Sequence, residues 1–234
     1  MSFGRILSEV ASREKRVIVY APDDSVRELA DVLATRNLTI DHRQPPAISS
    51  DAFVVVRDGG EFRGALSLSD LLEFLTPPVR RPDDLDSLAR KHRVVYELLD
   101  DTVFVTLDRR QLLATSRELE DRAWRTGHGR LHAGFQRAAA FEAQTSVYRE
   151  LATTDIDVHV YVPGGVSGDP LAETPITLHT RNGELDRYWF ILFDDGETGA
   201  QNCALIARET EDGRYQGLWT YNEELVAEAF KTVD

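Results

Sequence analysis

The chain has 234 residues, 42% hydrophobic and 29% charged, enough to bury a sizeable core in one large domain or in one domain with a small appendage. Forty acidic residues against 27 basic ones give a formal net charge of −13 and a pI near 4.9. Nucleic acids and anionic membranes are held largely by Lys and Arg, so this balance argues against both as partners.

Only Lys15, Lys91 and Lys231 are lysines, and the basic runs at 80–81, 90–93 and 109–110 are too short to make a stripe. An acidic surface almost without lysine fits a protein adapted to high salt, where screening relieves self-repulsion. Cys203 is the single cysteine, which excludes an intrachain disulfide and an all-cysteine metal site. It sits in an apolar, strand-like run at 202–206 and reads as a small buried hydrophobe. Residues 1–14 hold no apolar run long enough for a signal peptide, and nowhere do 18 apolar residues follow one another. A cytoplasmic protein is expected.

The chain-order pattern predicts an α+β fold: helices packed on one side of a mainly antiparallel sheet, preceded by a small α/β N-terminal unit. That unit occupies 1–76, a Pro- and Asp-rich linker 77–84, and the main domain 85–234. In the first part, 16–21 is a buried strand and 26–36 a helix with Val26, Leu29, Ala30 and Leu33 at helical spacing. Strands at 53–56 and 62–67 flank Asp58-Gly59-Gly60 as a hairpin, and 68–75 is a short helix. No phosphate-binding glycine pattern follows the first strand. Asp23-Asp24 reads as helix capping rather than as a phosphoacceptor.

The second part opens with a helix at 85–99 and a strand at 102–107. Two long helices at 109–125 and 135–152 follow, separated by a glycine-flanked loop at 127–134. Strands are expected at 156–162, 176–181, 187–193, 202–209 and 214–220, then a last helix at 223–232. Residues 188–193 are apolar at every position, as in a central strand buried on both faces.

On the helix at 109–125, Leu112, Leu113, Leu119, Ala123 and Trp124 share one arc, and Ser116 and Glu120 fall inside it. Glu118, Asp121, Arg122 and Arg125 lie on the other side. A carboxylate in an apolar stripe needs a partner or a raised pKa. Glu120 therefore either lines a ligand pocket or pairs with an arginine at the edge of the core. His128 and His132 are four apart, but the flanking glycines argue against a helix, so no metal site is expected. His159 and His179 share the polar face of their strands if those strands pair, an arrangement read as a half-solvated sheet face. Trp189, Trp219 and Tyr221 read first as core and second as a stacking platform. No G-x-S-x-G elbow and no kinase glycine motif occurs, and the paired carboxylates are scattered, so an enzyme is not expected.

Five stretches resemble the DICT sensory domain, a module named for its occurrence with diguanylate cyclases and two-component proteins. They are Ser116-Arg117-Glu118-Leu119-Glu120, Ala133-Gly134-Phe135-Gln136, Tyr148-Arg149-Glu150-Leu151-Ala152, Tyr188-Trp189-Phe190-Ile191-Leu192-Phe193-Asp194, and Arg214-Tyr215-Gln216-Gly217-Leu218-Trp219-Thr220-Tyr221 with Leu225-Val226. Positions matching the family's motifs are Glu118, Glu120, Gly134, Phe135, Gln136, Trp189, Glu209 and Trp219. The chain is similar to stand-alone versions from salt-loving archaea. The resemblance implies a non-catalytic signal-input or protein-interaction role, with no cofactor named and no catalytic residues to carry over. No cyclase or kinase output domain is attached, so it implies action through a separate signalling partner or through self-association.

The expected ligand-binding set is Glu120, Ser116, Gly134, Phe135, Gln136, Trp189 and Trp219, serving a small molecule or a partner. A ligand-free scaffold, in which the same residues are core, is the alternative; an enzyme assembled from scattered residues is the weaker one. Salt adaptation has a direct consequence. Raising KCl from about 0.1 M to about 1 M shortens the Debye length from about 10 Å to about 3 Å, and the thermal midpoint should rise with it. A midpoint that is flat or falls would mean that surface repulsion does not limit stability.

Overall fold

The computed structural model describes residues 2–12, 15–21, 26–27, 30, 38–44, 52–58, 61–75, 102–164, 170–181, 183–211 and 213–233. The expected linker at 77–84, the helix at 85–99 and most of the helix at 26–36 lie outside the described residues.

The N-terminal segment begins with α1 (Phe3–Ser12), whose Phe3, Ile6, Leu7 and Val10 are buried at helical spacing. A small sheet follows, built from β1 (Lys15–Tyr20), β2 (Leu38–Arg43), β3 (Phe53–Asp58) and β4 (Glu61–Ser67) in the order β2-β1-β3-β4. β3 and β4 pair antiparallel, Asp58 opposite Glu61, as the turn signal required. They lead into α2 (Leu68–Leu75). β2 was not anticipated. It runs parallel to β1 at the sheet edge, and its side chains are at most half-buried, so its apolar signal is weak.

The larger sheet has seven strands: β5 (Thr102–Asp108), β6 (His128–Gly134), β7 (Asp155–Pro163), β8 (Thr177–Arg181), β9 (Tyr188–Asp194), β10 (Cys203–Glu211) and β11 (Arg214–Thr220). Their order is β5-β11-β10-β9-β6-β7-β8. The pairs β6–β7 and β7–β8 are parallel, and the other four are antiparallel. Helices α3 (Arg109–Thr126), α4 (Ala138–Glu142), α5 (Thr145–Leu151) and α6 (Glu223–Val233), with a 3-10 turn at Glu184–Arg187, complete the described elements. The fold is α+β, with helices on a mainly antiparallel sheet.

β9 sits in the middle of that sheet and is buried from Tyr188 to Phe193. Trp189, Ile191 and Phe193 belong to one buried cluster, with Leu112, Leu119 and Ala123 of α3. Tyr188, Phe190 and Leu192 belong to a second, with α1 and with Leu225, Val226, Ala229 and Phe230 of α6. Helices therefore cover both faces, not one side as the sequence suggested. A strand apolar on both faces demands a cover on each. The Phe3 ring meets Tyr188 and Phe190 edge-on at 5.3 and 5.1 Å, so α1 belongs to the cover of the large sheet although it precedes the small one. Val17, Val19, Val54 and Val56 of the small sheet are continuous with the first cluster.

Two expectations are corrected. Residues 128–134 are not a loop but the strand β6, next to β9. Leu131 and Ala133 join the first cluster while His132 faces α6, the period of two expected of a strand. The glycines serve close approach rather than flexibility. Gly129 has φ +104°, and a Cβ there would overlap the backbone of Asp194. The residues at 135–152 are not one helix but two short ones, α4 and α5, broken at Ala143-Gln144. Together they make the crossover that the parallel pair β6–β7 requires.

A Cβ on Gly134 would overlap the Phe190 ring. Gly134→Ala should therefore cost about 1–3 kcal/mol as overpacking, read as a lower thermal midpoint, and adding Phe190→Leu should return part of the loss. An unchanged midpoint in the single variant would show that the ring has room to move.

Candidate functional site

Helix α3 carries the densest burial of charge in the molecule's described part. Ser116, Glu118, Glu120 and Arg122 are all buried, alongside Leu112, Leu119 and Ala123. Glu120 is a two-pronged acceptor. Arg117, one turn earlier and a third exposed, donates from Nη1 to Oε2 and forms an ion pair. The Tyr148 hydroxyl, from α5, donates to Oε1 at 2.7 Å. Burial pushes the Glu120 carboxyl above its ordinary value, and the Arg117 charge and the Tyr148 hydrogen bond pull only part of that back. Burial also drives the Tyr148 phenol well up, reinforced by the Glu120 charge. The hydroxyl stays a donor, and the contact ties α3 to α5.

Beside this cluster an open groove of about 580 Å³ runs between α3 and α5, walled by Ala114, Arg117, Asp121 and Trp124 on one side and Val147, Glu150 and Leu151 on the other, with Glu118 and Glu120 also lining it. Trp124 was expected within the buried arc of the helix. It stands instead on the wall of the groove and is 44% exposed. Arg122, expected on the polar side, is buried because Gln201 Oε1 accepts from its Nη1 at 2.5 Å and the Tyr221 ring lies 5.4 Å away. Glu118, also expected there, is buried beside Arg125 at 3.8 Å.

Of the seven residues expected to bind a ligand, Glu120 lines the groove. The other six are engaged in packing and in local hydrogen bonds. Ser116 Oγ donates back to the Leu112 carbonyl at 3.0 Å. Gly134 lies under Phe190. Phe135 is buried against Phe141 and Tyr148. Gln136 Nε2 donates to the Arg187 carbonyl at 2.6 Å. Trp189 meets Tyr215 edge-on at 6.0 Å, and Trp219 is buried in the same cluster. Glu209 holds Arg137 at 2.8 Å and the Gly213 amide at 3.0 Å. Arg117, Tyr148 and Trp124 were not among the expected site residues. Arg117, three residues from Glu120, is the one whose partnership a helical wheel signals.

The other sheet face carries the histidines. His128 and His132 lie on a strand, where four residues span about 13 Å, too far apart to chelate one ion. His159 Nδ1 and His179 Nε2 are 2.9 Å apart, their rings nearly parallel at 16°. One N–H···N bond joins them, one ring donating and the other accepting. Asp157 Oδ2 accepts from His159 Nε2 at 3.2 Å, and Tyr161 stacks on His179 at 4.4 Å.

Asp195, in the turn after β9, is held by its surroundings. Burial acts to raise its carboxyl. The amides of Glu197, Gln201 and Gly199 and the Thr198 hydroxyl outweigh burial and leave it below the ordinary value. That carboxylate organises the loop which delivers Gln201 to Arg122. Among the described residues no helix is long and apolar enough to cross a membrane.

A family model matches residues 92–210: DICT, the sensory domain in diguanylate cyclases and two-component systems. The match takes in β5 through most of β10 and with it every residue lining the groove; β11 and α6 lie beyond it. No curated protein matches the chain. Among solved structures, the crystal structure of polyphosphate kinase from Porphyromonas gingivalis is similar at 12% identity and a TM-score of 0.39. That similarity covers 97% of this chain and 47% of that one, so the chain spans under half its length. A likeness at that level carries no argument about function.

The raised carboxyl of Glu120 sets a sign. Its protonated form favours the folded state, so this contribution is complete below the unfolded value of about 4.3 and is lost as pH rises through the folded one. Glu120→Gln mimics the protonated form. Its stability relative to wild type, from urea unfolding, should therefore improve as pH rises from about 4 to about 7. A relative loss that grows toward pH 7 would mean the Arg117 ion pair outweighs burial.

Proposed function

Because the chain belongs to the DICT family of sensory domains, we propose that it is a non-catalytic signal-input module that takes a small ligand in the α3–α5 groove and acts through a separate output protein. The observation that carries this reading is the groove itself. It lies against the hydrogen bond from Tyr148 to Glu120, which links the two helices forming it. A ligand that touches Arg117 or Glu120 acts on that bridge directly, and shifting α5 against α3 changes the surface presented to a partner. A volume of about 580 Å³ suits a small molecule. Action in the cytoplasm, and in high salt, is part of the same proposal.

A second reading, a ligand-free scaffold, is favoured by the close packing of Phe135, Trp189 and Trp219. Native mass spectrometry on protein purified gently in high salt separates the two, with Ala114→Trp as the variant that fills the groove. The sensor reading expects a stoichiometric added mass on wild type that is absent from Ala114→Trp, with an unchanged circular dichroism spectrum. A bare wild-type mass in a defined oligomer supports the scaffold. The same added mass on both proteins would place the ligand elsewhere.

A further inference from the structure

Resting on the reading of the groove as a ligand site, we infer that its ligand is an organic cation: an ammonium or guanidinium group on a short apolar body. Charge complementarity points there first. Four carboxylates line the groove, those of Glu118, Glu120, Asp121 and Glu150, against one lining cation, Arg117. Arg117 is committed to Glu120. Arg125, just outside the lining, serves Asp121 at 3.1 Å and Glu118 at 3.8 Å. Among the described residues, four carboxylates set against those two guanidiniums leave an excess of negative charge. Among the described residues no cation pairs with Glu150, which is exposed on α5. An anion entering here meets like charge, whereas a cation completes the set.

The second observation is independent of the acids. Trp124 stands 44% exposed on the groove wall, while Trp189 and Trp219 are 9% and 2% exposed. Indole is the best aromatic face for a cation, and carboxylates beside an exposed indole are the composition that holds alkylammonium groups. The third is the apolar remainder, Ala114, Val147 and Leu151, which suits a hydrocarbon body. A bare metal ion has no use for these surfaces, and a neutral hydrocarbon leaves the carboxylates without a role.

Trp124 is also the reporter, since the other two tryptophans are buried. Three aromatic probes matched in size, phenylpropylammonium, phenylpropanol and phenylpropionate, are titrated while tryptophan emission is followed. The ammonium should shift the emission saturably, the alcohol should bind at least about tenfold more weakly, and the carboxylate should give no shift. Glu150→Gln with Asp121→Asn should weaken the ammonium about tenfold or more, and Ala114→Trp should abolish its binding.

If the alcohol or the carboxylate binds as well as the ammonium, and Ala114→Trp abolishes it, the cation inference falls and the groove remains a ligand site. If the ammonium binds equally well to the carboxylate variant, the charge argument falls. If none of the three probes shifts wild-type emission, the cation inference falls, and the native mass of wild type against Ala114→Trp decides the groove on its own.

Discussion

Tyr188, Trp189, Phe190, Ile191, Leu192 and Phe193 are all buried, three on each face of the large sheet. Fully burying one such side chain is worth about 1.5–3 kcal/mol, so neither face of this strand can be left to water. The consequence is a three-layer arrangement. α3 must lie on one face, and α6 with α1 on the other. The position of α1 follows from this demand, since Phe3 fills the space over Tyr188 and Phe190 that α6 alone leaves open.

The same demand explains why charge is buried on α3. Its sequence is among the most polar of the helices, yet it covers the central strands, so Glu118, Glu120 and Arg122 go in with the leucines. Each is met by a specific partner: Arg125, then Arg117 and Tyr148, then Gln201 and Tyr221. Those partners come from α3 itself, from the crossover helix α5, from the turn organised by Asp195 and, for Tyr221, from the segment after β11. The helix is held by polar contacts on three sides, and the groove opens where α3 and α5 part.

Much of this layout was legible in the residues. β9 could be read as central from its unbroken apolar run, β11 from its alternation, and the pair β3–β4 from Asp58-Gly59-Gly60. What escaped has identifiable causes. Gly127, Gly129 and Gly134 looked like a loop because close backbone approach and flexibility demand the same residue type. The break between α4 and α5 falls at Ala143-Gln144, where no glycine or proline interrupts the helical pattern. At the site, Glu120 stood out because its position on the helix wheel conflicts with its charge. Tyr148, an equal partner to it, is 28 residues away on another element and gives no local signal. The uncovered Trp124 was invisible for the same reason, since exposure is decided by neighbours and not by the helix on which a residue lies.

The strand order of the large sheet bears on how quickly the molecule can be made. β9, β10 and β11 form a meander of short connections, each strand pairing with its neighbour in sequence. β6 enters beside β9 across the whole β7–β8 segment, and β5 closes the opposite edge with Thr102 facing Trp219. Such distant pairings incur loop-closure entropy before they return any contact, and chains dominated by them fold slowly. Until β5 docks, β11 presents an open edge, and a refolding chain of this topology is most exposed to wrong partners during that interval.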